Sequence, residues 1–307
     1  MQHISRSSIA RLASIAIVLL VICMVGCGPL RTVVLSGKIK QPNTGSESFL
    51  DSLKDLLPLK YPSHDRPWRP DLAILPYVEF DDDNFTIRNV RDCRYRTEDD
   101  YDVRHFDLAF RLDDVRSVDF IVVPFQNAPS LAHTMLSFGL KDDQYFVVSV
   151  EARLEQGESY SPTKGSQDEF ELMYVIGSER DMIALRTEVR KVDVYMYRAS
   201  AKPDQVQDLL VDMLARVNAI ARQPEFYETF TNNCTTNIVR HVNRLRPGRI
   251  PLDPRVLLPG HSDKLAFELG MIESKGNFAE LKAQSRINTM AHIYHDDPDF
   301  SKKIRQH

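Results

Sequence analysis

The chemistry-bearing feature of this sequence is a cysteine at a helix start, with a histidine and a glutamate that strand pairing would bring together. The run Thr231-Asn232-Asn233-Cys234-Thr235-Thr236 precedes Asn237-Ile238-Val239-Arg240-His241-Val242-Asn243-Arg244-Leu245. Asn232 or Asn233 suits the N-cap, because its side-chain oxygen accepts a hydrogen bond from a free backbone N–H. Cys234 then sits in the first helical turn, where the positive end of the helix dipole favours the thiolate, the nucleophilic form. Ile238, His241 and Leu245 share its face, which aims the sulfur at a core or cleft.

A nucleophilic thiol needs a base. His241 lies two turns along the same helix, roughly 10 Å away by helical rise. That is too far for direct proton transfer, so His241 is read as structural. His133 is the better candidate. His133–Leu140 and Tyr145–Glu151 read as two strands of a hairpin, with Lys141-Asp142-Asp143-Gln144 as the polar turn. A turn centred near Asp142 pairs Met135 with Ser149, Ser137 with Val147 and His133 with Glu151. One face is then apolar (Thr134, Leu136, Phe138, Phe146, Val148, Val150), and the other carries His133, Ser137, Ser149 and Glu151. A carboxylate beside a histidine fixes its tautomer and raises its basicity.

The remaining elements must hold these groups. Leu72–Leu75 and Tyr77–Phe80 read as extended, and Asn84–Val90 alternates as a half-buried strand does. Ser117–Phe125 holds a continuous apolar run suited to a buried strand. Asp168–Arg186 reads as two extended pieces across a turn, with Glu179-Arg180-Asp181 as a solvated turn. Lys191–Arg198 reads as another strand. Pro203–Arg222 is a helix, with Pro in its first turn and Val206, Leu209, Leu210, Met213, Leu214, Val217 and Ile220 in a 3.6-residue stripe. A short helix over 262–269 ends at Gly270. Mixed strands and helices put the chain in the α+β class. The arginines of 88–97 are expected to pair with Glu98-Asp99-Asp100. The polar segment 154–166 is placed as a loop over the site. Residues 273–307 read as a disordered or loosely docked polar tail, and His292, His295, Asp296 and Asp297 within it are not read as a metal site. No cofactor is called for.

The chain has 307 residues, 43% hydrophobic and 27% charged, with a net charge of −4. That length supports one sizeable core, and the acidic balance argues against a nucleic-acid partner. Arg6 and Arg11 precede an apolar run from Leu12 to Val25, too short for a typical membrane span. The run ends in Met24-Val25-Gly26-Cys27, which resembles a bacterial lipobox with Cys27 as the lipidated residue. The other reading of residues 1–27 is an uncleaved N-terminal anchor. Both export the remainder and tether it to a membrane on the periplasmic side. Residues 28–69, punctuated by prolines, read as a tether, and residues 70–272 as the globular domain. Only Cys93 and Cys234 then remain in the exported part, so a Cys93–Cys234 disulfide in a non-catalytic envelope lipoprotein is a standing alternative.

Five runs in order carry a family resemblance: Asn89-Val90-Arg91-Asp92, Ala132-His133-Thr134-Met135-Leu136-Ser137-Phe138, Ser149-Val150-Glu151-Ala152-Arg153, Glu179-Arg180-Asp181 and Asn232-Asn233-Cys234-Thr235-Thr236. Together they resemble the N-terminal periplasmic domain family of lipoprotein N-acyltransferases, over about residues 70–272. That family is similar to circularly permuted papain-like thiol enzymes, the group of NlpC-type peptidases and lecithin:retinol acyltransferase. The resemblance implies a papain-like fold with Cys234 as nucleophile, His133 as base and Glu151 as orienting residue. It also implies transfer of an acyl chain from a membrane lipid to a lipoprotein. A cell-wall peptidase or amidase acting on a peptide substrate through the same residues is the alternative chemistry. In either, Asn232, Asn233 and the helix-start N–H groups are candidates for the cap and the oxyanion site.

Overall fold

The structure is a computed structural model that describes residues 60–306. Cys27, the leader or anchor, and the tether up to residue 59 lie outside the described residues.

Among the described residues ten strands form: β1 (Tyr77–Asp81), β2 (Asn84–Arg91), β3 (Arg94–Tyr95), β4 (Tyr101–Asp102), β5 (His105–Arg111), β6 (Val115–Phe125), β7 (Ala128–Leu140), β8 (Tyr145–Arg153), β9 (Glu171–Ser178) and β10 (Tyr195–Arg198). The helices are α1 (Pro162–Gly165), α2 (Glu179–Ala184), α3 (Pro203–Arg222), α4 (Cys234–Leu245), α5 (Pro254–Leu257), α6 (Ser262–Glu268), α7 (Phe278–Gln284), α8 (Asn288–Ile293) and α9 (Phe300–Lys303). The class is α+β. One eight-stranded sheet runs β1-β2-β9-β8-β7-β6-β10, with β5 on β2. Its pairings are antiparallel except the single parallel contact of β2 with β9 at Arg91 and Gly177.

The long β6–β7–β8 meander forms the centre of the sheet. In it Met135 faces Ser149, Ser137 faces Val147 and Phe138 faces Phe146, the register that the alternation predicts, but the paired residues end at Met135 and Ser149 and do not include His133 with Glu151. The other side of β7 pairs with β6, where His133 faces Val123. Phe138 and Phe146 stack with ring centroids 5.8 Å apart. The opposite face is not open to water, however. Ser137 and Ser149 are fully buried, because α2 and the C-terminal segment cover them. Ser137 donates to Glu179, and Arg305 bonds both Glu179 and Asp119 of β6.

Helix α3 buries Val206, Leu210, Met213, Leu214, Val217 and Ile220 against the sheet. Each such side chain contributes about 1.5–3 kcal/mol relative to exposure. Helix α4 packs on β7, β8 and α3. The turn Pro259–His261 lies directly on β7. A Cβ on Gly260 would come 1.9 Å from the Pro129 carbonyl oxygen, so only glycine permits this approach.

Four expectations are corrected. Leu72–Leu75 is not a strand; a 3-10 turn covers Pro70–Leu72, begun by the proline. The second half of 168–186 is helical: Ser178 caps α2 by accepting from the Asp181 N–H, and a π-helical stretch, Leu185–Val189, follows. Glu179 and Asp181 are accordingly buried, not solvated. Arg91 grips Asp181 through two 2.9 Å bonds from Nε and Nη2. The domain also begins before residue 70. Trp68 is buried under the Arg153 guanidinium, 4.1 Å from the ring centroid, and Arg66 bonds Glu171 at 2.7 Å. Finally, 273–306 is not a loose tail: it forms α7, α8 and α9 and buries Ile287, Ala291, Phe300 and Ile304 in the core. In this segment His292 pairs with Glu188, and His295 with Asp296. Among the described residues no group of three or more His, Cys, Asp or Glu is gathered as a metal site.

Candidate active site

Helix α4 starts at Asn233, which is its N-cap. The Asn233 side chain accepts from the Thr236 N–H at 2.9 Å, and the Thr236 hydroxyl accepts from the Asn233 N–H at 2.9 Å. This reciprocal pair fixes where the helix begins. Cys234 is therefore the first helical residue. Asn232 braces the loop instead: its amide donates to the Phe226 carbonyl, and its oxygen accepts from Asn237 and Arg240. Both asparagine side chains are thus engaged in shaping the loop. The donors that helical geometry leaves without intrahelical acceptors are the N–H groups of the first residues, beginning with Cys234 and Thr235.

The helix start is tied to β7. The Thr235 and Thr134 hydroxyls are 3.0 Å apart, and Cys234 Sγ lies 4.0 Å from the Ala132 carbonyl oxygen, one residue before His133. Across β7 and β8, His133 Nε2 is 2.8 Å from Ser149 Oγ, and Ser149 donates to Glu151 Oε1 at 2.9 Å. The direct separation of His133 Nε2 from Glu151 Oε1 is 3.5 Å, with 18% and 19% of the two side chains exposed. The structure therefore brings His133, Glu151 and Cys234 into one place, with Ser149 between the first two.

These contacts determine a tautomer. A hydroxyl has one proton, and Ser149 gives it to Glu151, an acceptor only when ionised. Ser149 must then accept from His133, so the proton is on Nε2. The lone pair is on Nδ1, the nitrogen left for the thiol. The electrostatics agree. Burial pushes the Cys234 thiol up, but hydrogen bonding and charge attraction from His133 outweigh this and lower it to about 7. Burial works against the His133 cation, yet its bonds to Cys234 and Glu151 raise it above the ordinary imidazole value. Glu151 is opposed by burial and is still held well below the usual carboxylate range by His133, with Arg186 and Arg91 adding charge. Arg186 is buried, 3.3 Å from Glu151 Oε1, and anchored on the Met182 carbonyl.

Ser149 and Arg186 are the parts that sequence reasoning missed. Ser149 was visible on the correct strand face, whereas Arg186 was hidden by reading its segment as a strand. Tyr160 and Tyr227 pack edge to face, with ring centroids 5.9 Å apart. Burial raises both phenols, and the charge of Cys234 adds to the effect. Tyr160 comes from the polar segment 154–166 and packs on Tyr227 and Phe170.

The second cysteine differs. Cys93 is buried beside Asp181, and burial first, then that carboxylate, pushes its thiol up to about 12. Cys93 and Cys234 are both free thiols, so the disulfide alternative is not what the structure contains. His241 has both nitrogens occupied, Nδ1 by Asp212 at 2.6 Å and Nε2 by the Tyr174 hydroxyl at 2.8 Å.

An apolar groove of about 290 Å³ runs along α4. Leu136 and Phe120 of the sheet, Thr235, Ile238 and Val242 of α4, and Leu265 of α6 are among its walls. Thr235, the residue after the nucleophile candidate, is part of its wall, whereas Cys234, His133, Ser149 and Glu151 are not.

The sequence model of the Lnb N-terminal periplasmic domain matches residues 101–260, just over half of the 307-residue chain. The chain belongs to this family. The matched region contains His133, Ser149, Glu151, Arg186 and Cys234, and it is narrower than the 70–272 that the motifs outlined. Membership makes the protein an envelope protein related to lipoprotein N-acyltransferase, with its domain in the periplasm. No curated protein and no solved structure matches the chain. Among the described residues no helix is long and apolar enough to cross a membrane.

Proposed function

We propose that the protein is a membrane-tethered thiol acyltransferase with a circularly permuted papain-like catalytic domain, acting through Cys234, His133 and Glu151, and held to the membrane through its N-terminus at a lipidated Cys27 or an uncleaved leader. The observation that supports this reading is the lowered Cys234 thiol at the start of α4 with His133, Ser149 and Glu151 linked beside it; the apolar groove along the same helix offers room for an acyl chain.

His133 Nδ1 takes the thiol proton, and the Cys234 thiolate attacks the carbonyl carbon of a lipid ester. The tetrahedral oxyanion lies against the helix-start N–H groups. As it collapses, the ester C–O bond breaks and the imidazolium returns the proton to the leaving alcohol. A thioester on Cys234 remains. An amine, such as the amino terminus of a lipoprotein, then attacks the thioester; His133 accepts the amine proton and returns it to the departing sulfur. Ser149 and Glu151 hold the ring through both steps, and Arg186 keeps Glu151 ionised.

The test is a phospholipid with a tagged acyl chain incubated with the full chain. We expect a hydroxylamine-labile adduct on Cys234 that is absent in Cys234→Ser and strongly reduced in His133→Ala. Cleavage of a cell-wall peptide amide, with no lipid-derived adduct, would replace this reading with the peptidase one.

A further inference from the structure

We infer that the segment from Leu245 to Leu258 is a membrane-docking surface that seats the mouth of the apolar groove against a phospholipid bilayer. Leu245, Leu252, Leu257 and Leu258 are 39%, 105%, 50% and 43% exposed. Four exposed leucines fall within fourteen residues of chain, a concentration unlike the single exposed apolar residues common on protein surfaces.

The charge pattern selects the partner. Residues 244–258 contain four arginines and one aspartate, in a chain whose net charge is −4. Arg244 and Arg255 are paired with carboxylates. Arg246 is exposed with no side-chain partner among the described residues, and Arg249 bonds only the Leu269 carbonyl. Exposed leucines flanked by Arg246 and Arg249, neither of which is paired with a carboxylate among the described residues, match the acyl boundary and the phosphates of a lipid surface.

The segment is also held in shape. The Asn243 amide clamps Ile250 through two bonds of 2.8 and 2.9 Å, Asp253 caps α5, and Pro247, Pro251 and Pro254 stiffen the turns. Leucines presented on a braced loop lose little conformational freedom on docking.

Continuity with the groove makes this surface more than an adhesive patch. Leu245, Arg246, Arg249, Ile250 and Val256 are at once part of this segment and part of the groove wall. An acyl chain therefore passes from the bilayer to the groove without crossing water. This placement stands on the surface itself and does not depend on the thiol chemistry.

The experiment uses the full chain in vesicles of phosphatidylcholine with a minority of phosphatidylglycerol, with and without brominated acyl chains. The only native tryptophan, Trp68, is buried and supplies an internal baseline. Leu252→Trp places a probe at a fully exposed position, where folding is not at stake. Ile293→Trp, 58% exposed in α8, is the comparison. Brominated lipid is expected to remove at least half of the emission added at position 252 and little of that added at 293. Equal quenching at the two positions, or none at 252, overturns the proposal. So does emission at 252 that shifts with protein concentration in the absence of lipid, which would assign the surface to a second copy of the chain.

Discussion

Replacing Ser149 by alanine isolates the bridge between His133 and Glu151. The substitution deletes a hydroxyl that accepts from His133 Nε2 at 2.8 Å and donates to Glu151 at 2.9 Å. A hydrogen bond to a charged group contributes about 1.5–3 kcal/mol. The 3.5 Å gap between Nε2 and Oε1 allows direct contact to recover part of this, so the loss is taken at about 1.4 kcal/mol, or about one pKa unit. The imidazolium is then less well held, and the Cys234 thiol rises from about 7 to about 8. At pH 7 the thiolate fraction falls from about one-half to about one-tenth. A more basic thiolate is also about threefold more reactive per unit, at a Brønsted slope of ~0.4–0.5. Alkylation by iodoacetamide should therefore slow only about twofold at pH 7, while its plateau above pH 9 rises about threefold. Rates measured from pH 5 to 10 on the wild type and the variant test both signs at once. A midpoint that does not move refutes the bridge, and a lower plateau would mean that the site had collapsed instead.

His133→Ala removes the charge that opposes burial at Cys234. Its alkylation midpoint should move to or above the free-thiol value of about 8.5, and acyl transfer should fall by about 10²–10⁴. Glu151→Gln should flatten the acid limb of stability. The folded-state pKa of Glu151 is depressed, so its contribution is complete above the unfolded value of about 4.3 and is lost as pH falls through the folded one. Urea midpoints measured downward from pH 5 should decline less in the variant than in the wild type; an equal decline would contradict the assignment. Arg91→Met strands Asp181, which is buried and bonded to both Arg91 and the Cys93 N–H. A loss of about 3–5 kcal/mol in urea unfolding is expected, and a loss under about 1 kcal/mol would show that the pair is not a structural strut.

What the sequence made legible depended on how local the cause was. The helix 203–222 was readable to the residue, because a proline at its start and a regular apolar stripe both lie within the helix. The β7–β8 register followed from alternation across a short turn. The same reasoning misread Glu179 and Asp181, whose partners Arg305 and Arg91 are 126 and 90 residues away. A charged triplet looks solvated until something distant neutralises it. The C-terminal segment failed for the same reason. Phe300 and Ile304 are isolated apolar residues in a polar frame, yet they and Arg305 close the sheet face above Ser137. The groove was invisible because it draws on β6, β7, α3, α4 and the chain from Arg249 to Ile272. The site chemistry falls between these cases. Strand and helix periodicity put a histidine, a glutamate and a cysteine on the right elements. Setting Arg186 to work on Glu151 took the packing of α2, capped by Ser178, and of the π-helical stretch that follows it. Reading Ser178 as the start of a helix would have brought Arg186 to the sheet face one step sooner, so the missing signal was the cap.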